Sequence, residues 1–234
     1  MILKPIITCE HGGNAVPLNY SHLFEGKGDV LQSHRGWDPG AAEVAAYLSK
    51  KLSAPFFICE TTRLLVEPNR SLQSDALFSE YSKGLTEAEK SEILQHFYHP
   101  HRDTVEAFIL NSTECILHLS IHTFTPVWNE TPRNTDIGLL FDPLRSNEAE
   151  FCDRFQKELI QQLPSTNIEF NEPYKGIDDG FTTHLRTLFP NERYLGIEIE
   201  LNQKYVGTPS WNRITTALSH GLVHVFKNGF QNDD

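Results

Sequence analysis

The sequence predicts an α/β fold: one domain built on a mostly parallel sheet with helices on its faces. Three observations carry this. Apolar runs rich in β-formers recur at Pro5–Cys9, Pro55–Cys59, Cys115–Ile121, Ile137–Phe141 and Tyr194–Leu201. Between them lie stretches whose apolar residues repeat at three- and four-residue spacing, and that alternation is the signature of parallel strands joined by helical crossovers. At 234 residues and 39% hydrophobic, the chain can bury one good core, and no repeat or linker divides it.

The first run ends in Cys9-Glu10-His11-Gly12-Gly13, so a strand delivers a carboxylate and an imidazole onto a turn of bare backbone. Asp38-Pro39 reads as an N-cap followed by proline at the first helical position, ahead of Ala41, Ala42, Val44, Ala45, Leu48 and Leu52. Thr86 and Glu89 form a capping-box pattern that opens a helix through Ile93, Leu94 and Phe97. Pro100 should kink or break it before Val105, Phe108 and Ile109. Phe151, Phe155, Leu159 and Leu163 share a further helical face, and a last helix runs from about 211 to 227. The domain is expected to span 1–229, with an acidic tail, 230–234, that frays.

A formal charge of −11 argues against nucleic acid or an anionic membrane surface as partner, since both need a basic face. An anionic small molecule remains compatible if a few arginines are focused locally. Cys9, Cys59, Cys115 and Cys152 show no paired spacing and are expected to be reduced, buried thiols. The N-terminal apolar run is too short for a signal peptide, and no stretch is long enough to span a membrane, so a cytoplasmic protein is expected.

Chemistry-bearing residues gather where strands end, which is where sites form in such sheets. His11 is either a metal ligand or a loop histidine bonded to its turn, and Glu10, on the opposite side, has a structural or orienting role. Asp38 has a sufficient reason to exist as a cap but could also give an oxygen to a metal. His118, Ser120 and His122 alternate onto one face; His118 reads as a core histidine, and His122, at the strand exit, as the better ligand. Glu198 and Glu200 share a face of a strand whose other face is Ile197, Ile199 and Leu201. Either they serve as acid or base at a metal, or the strand is an edge with a solvated side. Arg63 and Asn69-Arg70 suit a carboxylate, or are ordinary surface residues. His99-Pro100-His101 and the helical pair His220/His224 are expected to be packing or surface histidines.

Taken in order, Glu10-His11-Gly12-Gly13-Asn14, His34-Arg35-Gly36-Trp37-Asp38-Pro39-Gly40-Ala41, Arg63-Leu64-Leu65-Val66-Glu67-Pro68-Asn69-Arg70 and His122-Thr123-Phe124-Thr125-Pro126 resemble the N-formylglutamate amidohydrolase family. Arg133, the run Asp136–Leu140 and the strand Ile197–Glu200 continue the resemblance over nearly the whole chain. It implies a zinc-carboxypeptidase-like fold with a central mixed sheet. It also implies one zinc ion held by His11, Asp38 and His122, which favours Asp38 as ligand over Asp38 as cap. Asn14 stands where those carboxypeptidases have a ligand glutamate. The catalytic glutamate corresponds to Glu198, preferred over Glu200 in an alternative register. Arg63 would stabilise the oxyanion, Asn69 and Arg70 would hold a substrate carboxylate, and Arg133 and Tyr174 would complete the substrate site. Glu67 stands near where the family usually carries an aspartate. The activity implied is hydrolysis of the formamide, or another small acyl amide, of an N-acyl acidic amino acid such as N-formylglutamate, an anionic small-molecule substrate.

Overall fold

The computed structural model describes residues 3–228, so the tail expected to fray lies outside the described residues. In chain order the elements are β1 (Leu3–Cys9), α1 (Gly28–Gln32), α2 (Ala41–Leu52), β2 (Phe56–Ile58), α3 (Glu87–Ile93), α4 (His99–Asn111), β3 (Cys115–Phe124), β4 (Val127–Trp128), β5 (Thr131–Pro132), β6 (Ile137–Leu140), α5 (Ser146–Gln162), β7 (Ile168–Phe170), α6 (Phe181–Leu188), β8 (Tyr194–Asn202) and α7 (Pro209–Asn228). Six strands form one sheet in the order β2-β1-β3-β8-β6-β7. The first four run parallel, while β6 lies antiparallel to β8 and carries β7 parallel to itself, so the sheet is mixed but mostly parallel. A small hairpin, β4–β5, stands apart. Among the described residues no helix is long and apolar enough to cross a membrane.

The pleat sorts side chains onto two faces, and the sorting makes the site. Leu117, Leu119 and Ile121 of β3 and Leu195, Ile197, Ile199 and Leu201 of β8 pack with Val44 and Leu48 of α2, Phe151 and Phe155 of α5, and Leu218 and Leu222 of α7 in the main core. The other face starts apolar, with Ile6, Ile116 and Tyr194 against Val105 and Ile109 of α4 and Phe181 and Leu185 of α6. Towards the carboxyl ends of the parallel strands that face turns polar through His118, Ser120, His122, Glu198 and Glu200, all buried. His118 is the satisfied core histidine expected, bonded to Thr8 Oγ1 at 2.7 Å and to the Tyr194 hydroxyl at 2.8 Å.

Four local expectations need correction. Helix α2 is capped by Gly40 at φ 88°, not by Asp38, because the glycine makes the left-handed step that lets the chain enter the helix. Strand β3 runs on through Phe124, so His122 sits inside the strand rather than at its exit; pairing with β8 persists to Phe124↔Asn202. Pro100 does not break its helix. A π-helical turn, 94–98, absorbs the mismatch, and α4 then follows with the proline at its start. Finally, β8 is central and buried along its whole length, so its two acids do not lie on a solvated edge. All four cysteines are free and buried, as expected.

Candidate metal centre

His11 lies two residues beyond β1, on a turn whose two following glycines pack tightly, the second against backbone. A Cβ on Gly12 would come within 2.5 Å of the Ile58 side chain, and one on Gly13 within 2.5 Å of the Glu60 carbonyl oxygen. The turn therefore lies flush against the chain leaving β2 and directs the imidazole inward. The main chain then links this turn to Asp38, whose amide donates to the His11 carbonyl at 2.9 Å. Relieved of capping, the Asp38 carboxylate turns to the strands. Its Oδ2 accepts from the Thr123 amide at 3.3 Å and lies 3.2 Å from His11 Nδ1 and 3.1 Å from His122 Nδ1.

Each imidazole is held from behind by a carboxylate. His11 Nε2 lies 2.5 Å from Glu67 Oε1. His122 Nε2 lies 2.9 Å from Ser120 Oγ and 3.2 Å from Glu10 Oε2, while Ser120 itself donates to that same Glu10 oxygen at 2.6 Å. Glu10 is fixed in turn by His101 at 3.3 Å, and Glu67 by the Arg63 guanidinium at 2.6–2.7 Å. Carboxylates behind both rings suit donation from Nε2, the tautomer in which Nδ1 is the nitrogen available to a metal.

His11 Nδ1, His122 Nδ1 and Asp38 Oδ2 thus face one another at 3.1–3.2 Å. Two imidazole nitrogens and a carboxylate oxygen at this spacing form a donor set that a divalent cation can occupy. A tetrahedral zinc ion with arms of about 2.0–2.1 Å spaces its ligand atoms about 3.3–3.4 Å apart, so the donor set and its dimensions fit the metal. The surroundings favour positive charge at this point. Burial disfavours a charged His122 ring, yet hydrogen bonds to Asp38 and Glu10, together with the Glu200 charge, carry its pKa well up. Burial likewise works against the Asp38 and Glu67 carboxylates, but His11 for the first and Arg63 with His11 for the second hold both far below the usual carboxylate range.

The three acceptors open into a cavity of about 440 Å³ that is also lined by His34, Arg63, Asn69, Arg70, Trp128, Tyr174, Glu198 and Glu200. Glu200 is paired in register with His122, and Glu198 with Ser120. Burial, against the pull of His122, pushes the Glu200 carboxyl up to about 7, and its Oε2 has no hydrogen-bond partner among the described residues. Glu198 Oε1 instead accepts from the Thr182 hydroxyl. Asn69 is anchored through Oδ1 to the Phe181 amide at 2.7 Å. Arg70 donates to the Asn69 and Asp179 carbonyls, and no carboxylate pairs with it among the described residues. Arg133, expected at the substrate, does not line the cavity. Its guanidinium lies 5.0–5.5 Å from the rings of Phe124, Trp128 and Tyr174 and donates to the Tyr174 hydroxyl at 3.0 Å, bracing that rim from outside.

Sequence reasoning singled out His11, Asp38, His122, both acids of β8, Arg63, Asn69, Arg70 and Tyr174, and the fold brings all of them to this cavity. It gave no role to Glu67 or Trp128 and set His101 aside as a packing residue. His101 is buried, as expected of packing, but its partner is Glu10; a buried glutamate beside a buried histidine was the signal available. His99 is half exposed, and His224 pairs with Glu158 on the far side of the sheet.

The sequence pattern of the N-formylglutamate amidohydrolases matches residues 3–206, and the chain belongs to that family. Among solved structures, gene product Atu2144 from Agrobacterium tumefaciens is similar at 26% identity, with 94% of this chain and 91% of that chain covered and a TM-score of 0.75. Fainter likenesses extend to a succinylglutamate desuccinylase from Chromobacterium violaceum (12% identity, 99% and 62% covered, TM-score 0.41) and a metallo-carboxypeptidase from Burkholderia cenocepacia (12%, 99% and 58%, 0.42). No curated protein matches the chain.

Proposed function

We propose that the chain is a zinc-dependent amidohydrolase that cleaves the small acyl amide of an N-acyl amino acid, N-formylglutamate being the substrate that gives its family a name. The observation that carries this is the convergence of His11, Asp38 and His122 on one point at the floor of a cavity that also holds a carboxylate oxygen without a partner among the described residues. His11, Asp38 and His122 would hold the ion. When bound, zinc supplies Lewis-acid polarisation of the scissile carbonyl and acidification of water.

The chain's own groups divide the remaining work. Glu200 is the general base. It is in register with His122, its Oε2 lacks a partner, and burial has moved its pKa towards neutrality, where a base both accepts and returns a proton. It takes the proton of the attacking water and delivers it to the leaving amine. Glu198, engaged by Thr182 and one residue pair further back along the strand, is less suited to that task. Arg63 has spent part of its fork of donors on Asp38 and Glu67; those left at the cavity wall face the carbonyl oxygen as charge develops on it. Arg70, paired with no carboxylate among the described residues, holds the α-carboxylate beside Asn69. Tyr174, braced by Arg133, covers the mouth.

Assaying zinc-loaded protein on N-formyl amino acids beside N-acetyl amino acids and short peptides tests this. Release of formate supports the formamidase. Cleavage confined to the other amides moves the activity to a deacylase or carboxypeptidase, and no turnover with any amide contradicts the proposal.

A further inference from the structure

Arg102 is a guanidinium only 5% exposed that the proposed chemistry does not use. No carboxylate lies within ion-pair distance of it among the described residues, and burial, the largest influence on its pKa, pulls it down. A charge kept in the interior without a counter-charge is costly, so its contacts have to account for it. Its Cζ lies 4.9 Å from the centre of the Tyr98 ring and 4.4 Å from that of Phe181, and its Nη1 donates to the Pro68 carbonyl at 3.0 Å.

All three partners lead to the same short segment. The Tyr98 hydroxyl donates to the Arg70 carbonyl at 2.7 Å, and the Phe181 amide holds Asn69 Oδ1 at 2.7 Å. Tyr98 closes the π-helical turn and Arg102 stands one helical turn further on in α4, so a single helix face grips the carbonyls on either side of Asn69. Such turns gather at functional sites. The amides of the segment run the other way, Asn69 to Glu67 Oε1 at 3.0 Å and Arg70 to the Glu67 carbonyl at 3.2 Å. Glu67 has its own anchor in Arg63, which leaves the orientation of His11 independent of Arg102. Covering two buried carbonyls would take no more than an amide or a hydroxyl. A planar fork clamped between two rings fixes direction as well.

We infer that Tyr98 and Arg102 are positioning residues: they hold the Pro68 and Arg70 carbonyls so that the Asn69 amide and the Arg70 guanidinium are aimed at the substrate α-carboxylate. This rests on the proposed placement of that carboxylate. Neither residue lines the cavity, so both act through the segment they hold.

The test measures kcat and KM of the zinc-loaded enzyme on N-formyl-L-glutamate and on the same compound with its α-carboxylate converted to a carboxamide. Wild type is compared with Tyr98→Phe, Arg102→Met and Arg102→Lys, and zinc affinity is read beside it by chelator competition. On the acid, KM should rise about threefold or more in Tyr98→Phe and about tenfold or more in Arg102→Met, with kcat within about twofold; Arg102→Lys should fall between wild type and Arg102→Met. On the carboxamide kcat/KM should stay within about twofold of wild type, as should zinc affinity. Equal losses on both compounds, zinc affinity falling in step, or an unmoved KM overturns the inference. Should Arg102→Met fold poorly, Tyr98→Phe, which keeps the buried ring, decides alone. If no formamide is turned over, the hydrolytic proposal fails separately, and calorimetry of L-glutamate decides: binding weakened by the same substitutions upholds the positioning role, and unchanged or absent binding overturns it.

Discussion

Two imidazoles whose Nδ1 atoms face each other and a carboxylate at 3.1–3.2 Å are oriented by what stands behind them. Glu67 behind His11 and Glu10 behind His122 are the groups that fix the orientation of the two rings. Glu67→Gln and Glu10→Gln should each weaken zinc affinity by about 10–100-fold, read by competition with a chromophoric chelator, with the fold intact by circular dichroism. Glu200→Gln should leave zinc content unchanged while lowering kcat by about 10²–10⁴-fold; retained turnover would remove it as base. At this scale the sequence was partly legible. His11 and His122 stand out because they follow or close apolar strands. Asp38 taken by itself resembles a cap, because an Asp-Pro pair ahead of a helix does not reveal that Gly40 makes the actual entry. The importance of Glu67 could not be read, since a glutamate in a loop gives no sign of which histidine, 56 positions away, it will meet.

The elements place these residues through register. Pairing of β3 with β8 sets His122 beside Glu200, and pairing of β8 with β6 sets Glu200 opposite Gly138. A Cβ on Gly138 would run into the Glu172 carbonyl and come within 3.2 Å of the Glu200 Cβ. Gly138→Ala should destabilise the protein by about 1–3 kcal/mol in urea denaturation and depress kcat beyond what lost folded protein explains. His118, deeper on the same polar face, has a signature in pH. Burial lowers its pKa to about 4, so the folded protein keeps it neutral where the unfolded chain, near pH 6.5, already takes up a proton. The stabilising difference is therefore fully present above about pH 6.5 and is lost as pH falls towards 4, a change of about 3 kcal/mol. Stability of wild type minus that of His118→Gln, followed from pH 7.5 to 4, should shrink accordingly. The long strands and amphipathic helices were legible because their periodicity spans several residues. β7, the β4–β5 hairpin and α6 were not, being two to eight residues long with too few repeats to declare a period.

At the scale of the whole molecule, alternation of strands and helices was enough to give the fold class, whereas the strand order was not, because order depends on crossovers that leave no local mark. A chain with a formal charge of −11 nonetheless focuses Arg63 and Arg70 on one cavity. Since a ligand that binds only the folded state stabilises it, chelation should lower Tm, and zinc at a hundred times its Kd should restore about 2.7 kcal/mol.

The most direct measurement is zinc per chain, by mass spectrometry of elements, in protein purified without a histidine tag and exchanged into metal-free buffer. About one equivalent is predicted for wild type, falling to about a tenth or less in Asp38→Ala and His122→Ala variants that remain folded. Wild type with under about a tenth of an equivalent, or variants that keep the full complement, would contradict it.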